Sequence, residues 1–168
     1  LISYSEDSVC FNVKSHKVTF KELEARFGFV DSIICLNETL SILDSSIGAT
    51  SYIWSISNGT TYNVENPPST QFSSAGTYTV QLIVENSIVS CVDTLIKEVL
   101  VNPLPSISTN GGLYCYGSTI PLNAVGYSGL QYLWSPSTFI SNPSIESTTT
   151  VTLTISNYTV TATDSNGC

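Results

Sequence analysis

The chain carries one pattern of cysteine, tryptophan and tyrosine twice. The interval from the cysteine to the tryptophan is the same in both copies, and so is the interval from the tryptophan to the tyrosine. A repeat with fixed internal spacing indicates a tandem array in which each copy is one small structural unit. The landmarks of the first copy are Cys35, Trp54 and Tyr78, and those of the second are Cys115, Trp134 and Tyr158.

The spacing of the remaining cysteines predicts where each unit begins and ends. The interval from Cys10 to Cys35 nearly equals the interval from Cys91 to Cys115. The chain therefore opens inside a unit that precedes the first landmark. The predicted units are residues 1–31 as the last hairpin of a preceding repeat plus a junction, residues 32–104 as a first sandwich, and residues 105–168 as a second sandwich whose final strand is missing.

Alternating apolar and polar residues, broken by glycine and proline turns, predict short β-strands in both units. The predicted strands are residues 26–34, 39–44, 51–57, 77–84 and 94–101 in the first unit, and residues 119–125, 130–135, 151–155 and 158–163 in the second. Residues 21–27 have a helix-forming composition and fit a helical turn or a strand equally well. About seven strands per unit, with one tryptophan and one tyrosine at fixed places, predict Ig-like sandwiches. The predicted fold class is all-β, with tandem Ig-like sandwiches arranged head to tail.

The composition excludes several classes of function. The chain has 168 residues, 5 Lys and Arg against 13 Asp and Glu, and a formal net charge of −8. So few cations provide no electrostatic surface for nucleic acid or for anionic lipid. No apolar run reaches the roughly 18 residues needed for membrane insertion as a helix. The single histidine, His16, has no accompanying nucleophile motif, so we do not expect an enzyme.

The residues around the landmarks resemble a known domain family. In the first unit, residues 34–40 (ICLNETL), 52–55 (YIWS) and 75–80 (AGTYTV) together resemble a PKD domain. In the second unit, residues 132–136 (YLWSP) and 161–168 (TATDSNGC) resemble a related Ig-like repeat. The matching form is the tandem type of large surface proteins in gliding, type IX-secreting Bacteroidetes. The resemblance implies a secreted, extracellular chain at the bacterial cell surface.

Five cysteines in an acidic chain without Cys-x-x-Cys spacing indicate disulfides rather than a metal site. One pattern lies within repeats, Cys35 with Cys91 and Cys115 with Cys168. In an Ig-like sandwich, however, the two members of such a pair lie at opposite ends of a strand about 23 Å long, whereas a disulfide needs Cα atoms within about 7 Å. Head-to-tail stacking favours the inter-repeat pair Cys35 with Cys168, which leaves the other cysteines for neighbouring repeats. The pattern within repeats stays open as the alternative.

Ligand and modification sites are predicted from short motifs only. Four acidic residues near predicted turns have the oxygen chemistry that Ca²⁺ prefers, although no Asp-x-Asp cluster occurs: Asp44, Glu65, Asp93 and Asp164. We expect no cofactor, with Ca²⁺ as the alternative. Three sites match the O-glycosylation signal of secreted Bacteroidetes proteins, an aspartate followed by Ser or Thr and then an apolar residue: Ser8, Ser32 and Thr94.

The leading functional hypothesis is structural. It describes a repeat segment of a long extracellular adhesin or filament that acts as a semi-rigid spacer, because each repeat of such an array contacts only its neighbours. The expected partners are neighbouring repeats of the same chain, together with other surface proteins or polysaccharide. The alternative hypothesis is an accessory polysaccharide- or protein-binding module of a secreted multidomain hydrolase.

Overall fold

The structure is a computed structural model that describes residues 14–17, 21–151 and 157–168. All regular secondary structure in these described residues is β-strand, so the predicted all-β fold class is confirmed. The same residues contain no helix that is long and apolar enough to cross a membrane.

The first unit contains nine of the strands in the described residues. They are β1 (Phe27–Phe29), β2 (Ile33–Cys35), β3 (Thr39–Leu40), β4 (Ile42–Asp44), β5 (Ser51–Ile56), β6 (Thr61–Tyr62), β7 (Thr70–Gln71), β8 (Gly76–Asn86) and β9 (Cys91–Asn102). The longest two, β8 and β9, form a hairpin that is paired from Gly76 with Val101 to Asn86 with Cys91. Apolar residues alternate with polar ones along β8, so one face of the hairpin carries a row of buried valine and leucine side chains.

These nine strands form two packed layers. One layer is a five-stranded sheet in the order β2, β9, β8, β5, β6, in which β2 runs parallel to β9. The facing layer consists of two antiparallel pairs, β1 with β4 and β3 with β7. Apolar residues from both layers form one buried cluster, so the first unit is a β-sandwich.

Trp54 lies within this buried cluster. Its side chain is fully buried, and its ring packs edge-on against Phe27 with 5.1 Å between centroids. Its indole N–H donates to the carbonyl of Val64 at 2.9 Å, so burial leaves no polar atom of the side chain without a partner. Ala25 and Phe27 belong to the same cluster. These two residues therefore pack with the first unit, although residues 1–31 were assigned from the sequence to a preceding repeat and its junction.

The second unit contains the other five strands of the described residues. They are β10 (Ser108–Thr109), β11 (Thr119–Val125), β12 (Gln131–Ser135), β13 (Ser147–Val151) and β14 (Thr159–Thr163). One sheet has the order β10, β11, β13, and the other pairs β12 with β14. Trp134 is buried with Leu122 and Ala124, and its indole N–H donates to the carbonyl of Ile145 at 3.0 Å. The arrangement of Trp54 is thus repeated around a smaller core.

Two predicted strands of the first unit are divided in the structure. The strand predicted at residues 26–34 becomes β1 and β2, which pair with β4 in one layer and with β9 in the other. The chain crosses between the layers at residues 30–32. The strand predicted at residues 39–44 is interrupted at Ser41, because β3 and β4 also pair with different partners.

The segment at residues 21–27 and the strand predicted at residues 151–155 have different outcomes. Residues 21–27 form no helix: Glu24 makes a β-bridge with Ile47, and β1 begins at Phe27. The strand predicted at residues 151–155 falls almost entirely outside the described residues. The two-residue strands β6, β7 and β10 were not predicted, because two residues show no periodicity.

Candidate functional site

A disulfide between Cys35 and Cys168 joins the two units. The Cα atoms of the two residues are 5.4 Å apart, and 133 positions separate them in the sequence. Cys35 ends β2 in the first unit, and Cys168 follows β14 in the second. Neither cysteine therefore pairs within its own unit, and the bonds of the intra-repeat alternative, Cys35 with Cys91 and Cys115 with Cys168, are not formed.

The turn that carries Cys35 is held by the first sandwich, and we call residues 35–38 the first entry turn. The N–H of Cys35 donates to the Glu38 carboxylate at 2.7 Å, and the N–H of Glu38 donates to the carbonyl of Cys35 at 3.0 Å. Asn37 adopts a left-handed conformation with φ of 75°, which the short Asn side chain tolerates. The buried Ile34 and the Leu36 N–H, which donates to the carbonyl of Asn102, anchor this turn to the sheet.

The turn that carries Cys168 is held by an aspartate, and we call residues 164–168 the second closing hairpin. The Asp164 carboxylate accepts the N–H of Cys168 and the N–H of Asn166, both at 2.9 Å. The N–H of Asp164 in turn donates to the carbonyl of Cys168 at 2.9 Å. The N–H of Cys168, followed by that of Asn166, lowers the pKa of Asp164 below its usual value. The ionised carboxylate thus fixes the backbone on which Cys168 stands.

The remaining cysteines have different positions. Cys91 begins β9 and Cys115 lies before β11, and both carry exposed free thiols in the described part of the chain. Cys10 lies outside the described residues.

The four acidic residues considered for Ca²⁺ are not brought together. Residues 14–17, 21–151 and 157–168 contain no group of three or more His, Cys, Asp or Glu side chains that could hold a metal ion. Asp44 accepts the Ser46 hydroxyl at 2.7 Å, and Asp93 accepts the Ala25 N–H at 2.7 Å. Asp164 accepts backbone groups of its own hairpin, and Glu65 is exposed. Asp44 and Asp164 therefore support their own turns, and Asp93 holds the backbone of a residue that is distant in the sequence.

Asp93 is expected to make the free energy of unfolding depend on pH. The N–H groups of Ala25 and Thr94 lower the pKa of Asp93, so its contribution to stability is complete above the unfolded-state pKa of about 3.9. That contribution is lost as the pH falls through the lower pKa of the folded state. The free energy of unfolding of the first unit, measured with urea, should therefore fall less between pH 7 and pH 2.5 in Asp93→Asn than in the natural chain. Equal losses in both proteins would contradict this role.

Two of the three predicted glycosylation sites and several tyrosines are accessible. Ser32 and Thr94 are exposed, which is consistent with modification without testing it, and Ser8 lies outside the described residues. Tyr114, Tyr116 and Tyr127 are exposed in the second unit.

Ser32 also lines an open groove of about 870 Å³ between residues 28–32 and residues 96–98 of β9.

The sequence reasoning missed the two carboxylates that hold the bonded cysteines. The word Asp-Ser-Asn-Gly at residues 164–167 is a strong turn signal, and an aspartate that begins such a turn accepts the N–H two residues later. That signal could have identified Asp164. Glu38 has no comparable signal, because its bond to the N–H of Cys35 depends on the left-handed residue between them.

Comparisons with known proteins give one family match and several similar structures. Residues 32–97 match the family model described as the PKD domain. The chain is similar to the PKD1 domain of the Vibrio cholerae metalloprotease PrtV, with 25% identity over 48% of this chain and 96% of that one, and a TM-score of 0.40. No curated protein matches the chain significantly.

Two further solved structures are similar to the chain. A structure of carbohydrate-binding modules of the β-sandwich superfamily is 19% identical over 68% of this chain and 47% of that one, with a TM-score of 0.46. Fibronectin(III)-like modules of Clostridium thermocellum CbhA are 10% identical over 84% of this chain and 87% of those modules, with a TM-score of 0.38. All three TM-scores are below 0.5, so we infer no function from these likenesses. Residues 32–97 are therefore similar to the PKD domain, and the regular secondary structure of the described residues around them is all β-strand.

Proposed function

We propose that the chain is a structural segment of an extracellular bacterial surface protein, in which it acts as a semi-rigid spacer between neighbouring repeats. PKD-type domains are typical of secreted and extracellular proteins, and disulfides form and persist in oxidising compartments outside the cytosol. The proposed parent is an adhesin or filament of gliding, type IX-secreting bacteria, because the sequence resembles the large surface proteins of these bacteria. In that setting the spacer holds a binding tip away from the cell.

The disulfide between Cys35 and Cys168 is the observation that carries this proposal. The peptide connection between the units has no regular secondary structure, and Pro103 and Pro105 make it a stiff, extended connector. A single connection of this kind still leaves the units free to rotate and tilt about it. A second covalent connection restricts that motion, because two linkages fix more relative degrees of freedom than one. The bond also carries tension directly from the end of β2 to the end of the second unit, so residues 36–167 are not loaded.

An accessory binding module is the second candidate function. Exposed tyrosine rings stack on sugars in many binding sites, and Tyr114, Tyr116 and Tyr127 are exposed in the second unit. This alternative places the chain beside a catalytic domain of a secreted hydrolase. It requires the chain itself to bind polysaccharide or protein.

Retention on insoluble polysaccharide separates the two candidates. The oxidised chain is applied to cellulose, chitin and xylan, with a Tyr114→Ser, Tyr116→Ser, Tyr127→Ser variant as the matched control. The spacer function predicts that both proteins elute together without retention. Retention of the natural chain that the triple variant loses would contradict the spacer function and support the binding module.

A further inference from the structure

Cys115 stands on a turn with the same geometry as the first entry turn. Residues 115–118, the second entry turn, are closed by the N–H of Ser118, which donates to the carbonyl of Cys115 at 3.1 Å. Gly117 has a φ of 73°, nearly the 75° of Asn37 in the first entry turn. In each unit a strand begins immediately after the turn, β3 in the first and β11 in the second. Cys115 is therefore the structural equivalent of the bonded Cys35.

Cys91 stands on a hairpin that matches the second closing hairpin. Residues 86–91, the first closing hairpin, begin with Asn86, whose side-chain oxygen accepts the N–H of Ile88 at 3.1 Å and whose carbonyl accepts the N–H of Val89 at 3.3 Å. Asp164 accepts the N–H groups two and three residues later in the same way. Cys91 pairs across the hairpin with Asn86, as Cys168 does with Asp164.

Both free thiols are surrounded by exposed apolar side chains. Ile88, Val89 and Val92 are exposed beside Cys91, and Leu113, Tyr114 and Tyr116 are exposed beside Cys115. Tyr116 is 81% exposed, whereas the residue equivalent to it in the bonded entry turn, Leu36, packs against the core of the first unit. Each thiol therefore has exposed apolar side chains beside it in the sequence, which a partner docked at the cysteine would cover.

We infer that Cys91 and Cys115 are the two ends of a repeating series of disulfides between units of this kind. Cys115 bonds to the closing-hairpin cysteine of a following unit, and Cys91 bonds to the entry-turn cysteine of a preceding unit. The pairing is always between an entry turn and a closing hairpin, as between Cys35 and Cys168. This inference rests on the proposed spacer function and names the partner of the spacer, a further unit with the same two cysteine positions.

The bond requires an oxidant, and a small-molecule disulfide supplies it. The thiolate of Cys91 attacks one sulfur of the oxidant, which forms a mixed disulfide and releases one small thiol. The thiolate of a Cys115 then attacks the sulfur of Cys91, which forms the protein disulfide and releases the second small thiol. Two protein thiols thus lose two electrons and two protons, and one small disulfide is reduced to two thiols.

The test couples two variants of the whole chain, each with a single end available. Cys10→Ser/Cys91→Ser keeps the Cys115 thiol, and Cys10→Ser/Cys115→Ser keeps the Cys91 thiol. Each is incubated in a glutathione redox buffer alone and in an equimolar mixture, and dimers are counted on non-reducing gels after thiol blocking. We expect mixed dimers to be about tenfold more abundant than either homodimer. After cleavage of the mixed dimer before aspartate, peptide 44–92 of one variant should be recovered disulfide-bonded to peptide 93–163 of the other.

A surface variant distinguishes docking from random oxidation. Tyr116→Ser in the Cys115-bearing variant should lower the yield of mixed dimers several-fold, and Phe139→Ser, at an aromatic residue that is 74% exposed in the same unit, should leave the yield unchanged. A ratio of about two between the mixed dimer and either homodimer, which is the value for random pairing, would overturn the inference. Absence of dimers, or an equal effect of Tyr116→Ser and Phe139→Ser, would do the same. None of these results would contradict the spacer function, provided that the chain is still not retained on polysaccharide.

Discussion

Stretched from its first to its last residue, the chain is expected to extend about 450 Å less when the disulfide is intact than when it is reduced. Cys35 and Cys168 are 133 positions apart, so the bond encloses nearly all of both units in a covalent loop. Residues inside the loop cannot be drawn out, even when both sandwiches unfold. Single-molecule force measurements with and without reductant give the contour length directly.

The force measurement is best made in a Cys10→Ser, Cys91→Ser, Cys115→Ser background. That background keeps Cys35 and Cys168 as the remaining cysteines, so any shortening reports their bond. The same protein with Cys35→Ser and Cys168→Ser added should extend fully in both conditions. Full extension of the oxidised background protein, without reductant, would contradict the bond between the units.

Trp54→Ala is expected to destabilise the first unit by about 3–5 kcal/mol. The side chain is fully buried, so its removal leaves a cavity bounded by Phe27 and the core residues of β8. The variant also loses the indole bond that holds the carbonyl of Val64. Hydrogen exchange of the amides of β8 measures the free energy of opening for this unit, and urea unfolding at pH 7 measures the same loss globally.

The neighbouring residue on β5 provides the matched control for Trp54→Ala. Ile53 is 47% exposed on the opposite face of the strand, so Ile53→Ala should change stability by less than about 1 kcal/mol. Trp134→Ala should destabilise the second unit through the same two losses, around a smaller core. If Trp54→Ala and Ile53→Ala had similar effects, Trp54 would not be the centre of the packing.

The repeated spacing of cysteine, tryptophan and tyrosine predicts two units, and the structure gives each unit its own core around the repeated tryptophan. A large aromatic ring at the same place in two copies fits a shared interior position, and Trp54 and Trp134 both occupy one with the same type of indole bond. The division of residues 26–34 into β1 and β2 could not be predicted. Local alternation shows which face of a strand is apolar, whereas the choice of pairing partner depends on distant strands, here β4 and β9.

The cysteines show a similar limit. A pair between units could be favoured from the sequence, because the predicted topology puts the two cysteines of one unit at opposite ends of a strand. That strand is longer than a disulfide can span. The bonds that hold each turn depend on local backbone conformation. The spacing of the landmarks already aligns Cys35 with Cys115, whereas the left-handed conformation that Asn37 and Gly117 share is visible only in the structure.

Peptide mapping of the oxidised chain under non-reducing conditions tests the covalent joint between the units most directly. Cleavage before aspartate places every cysteine in its own peptide: residues 7–30, 31–43, 44–92, 93–163 and 164–168. The joint predicts that peptide 31–43, with Cys35, is recovered bonded to peptide 164–168, with Cys168. Recovery of 31–43 bonded to 44–92, together with 93–163 bonded to 164–168, would show that each disulfide lies within one unit and would contradict it.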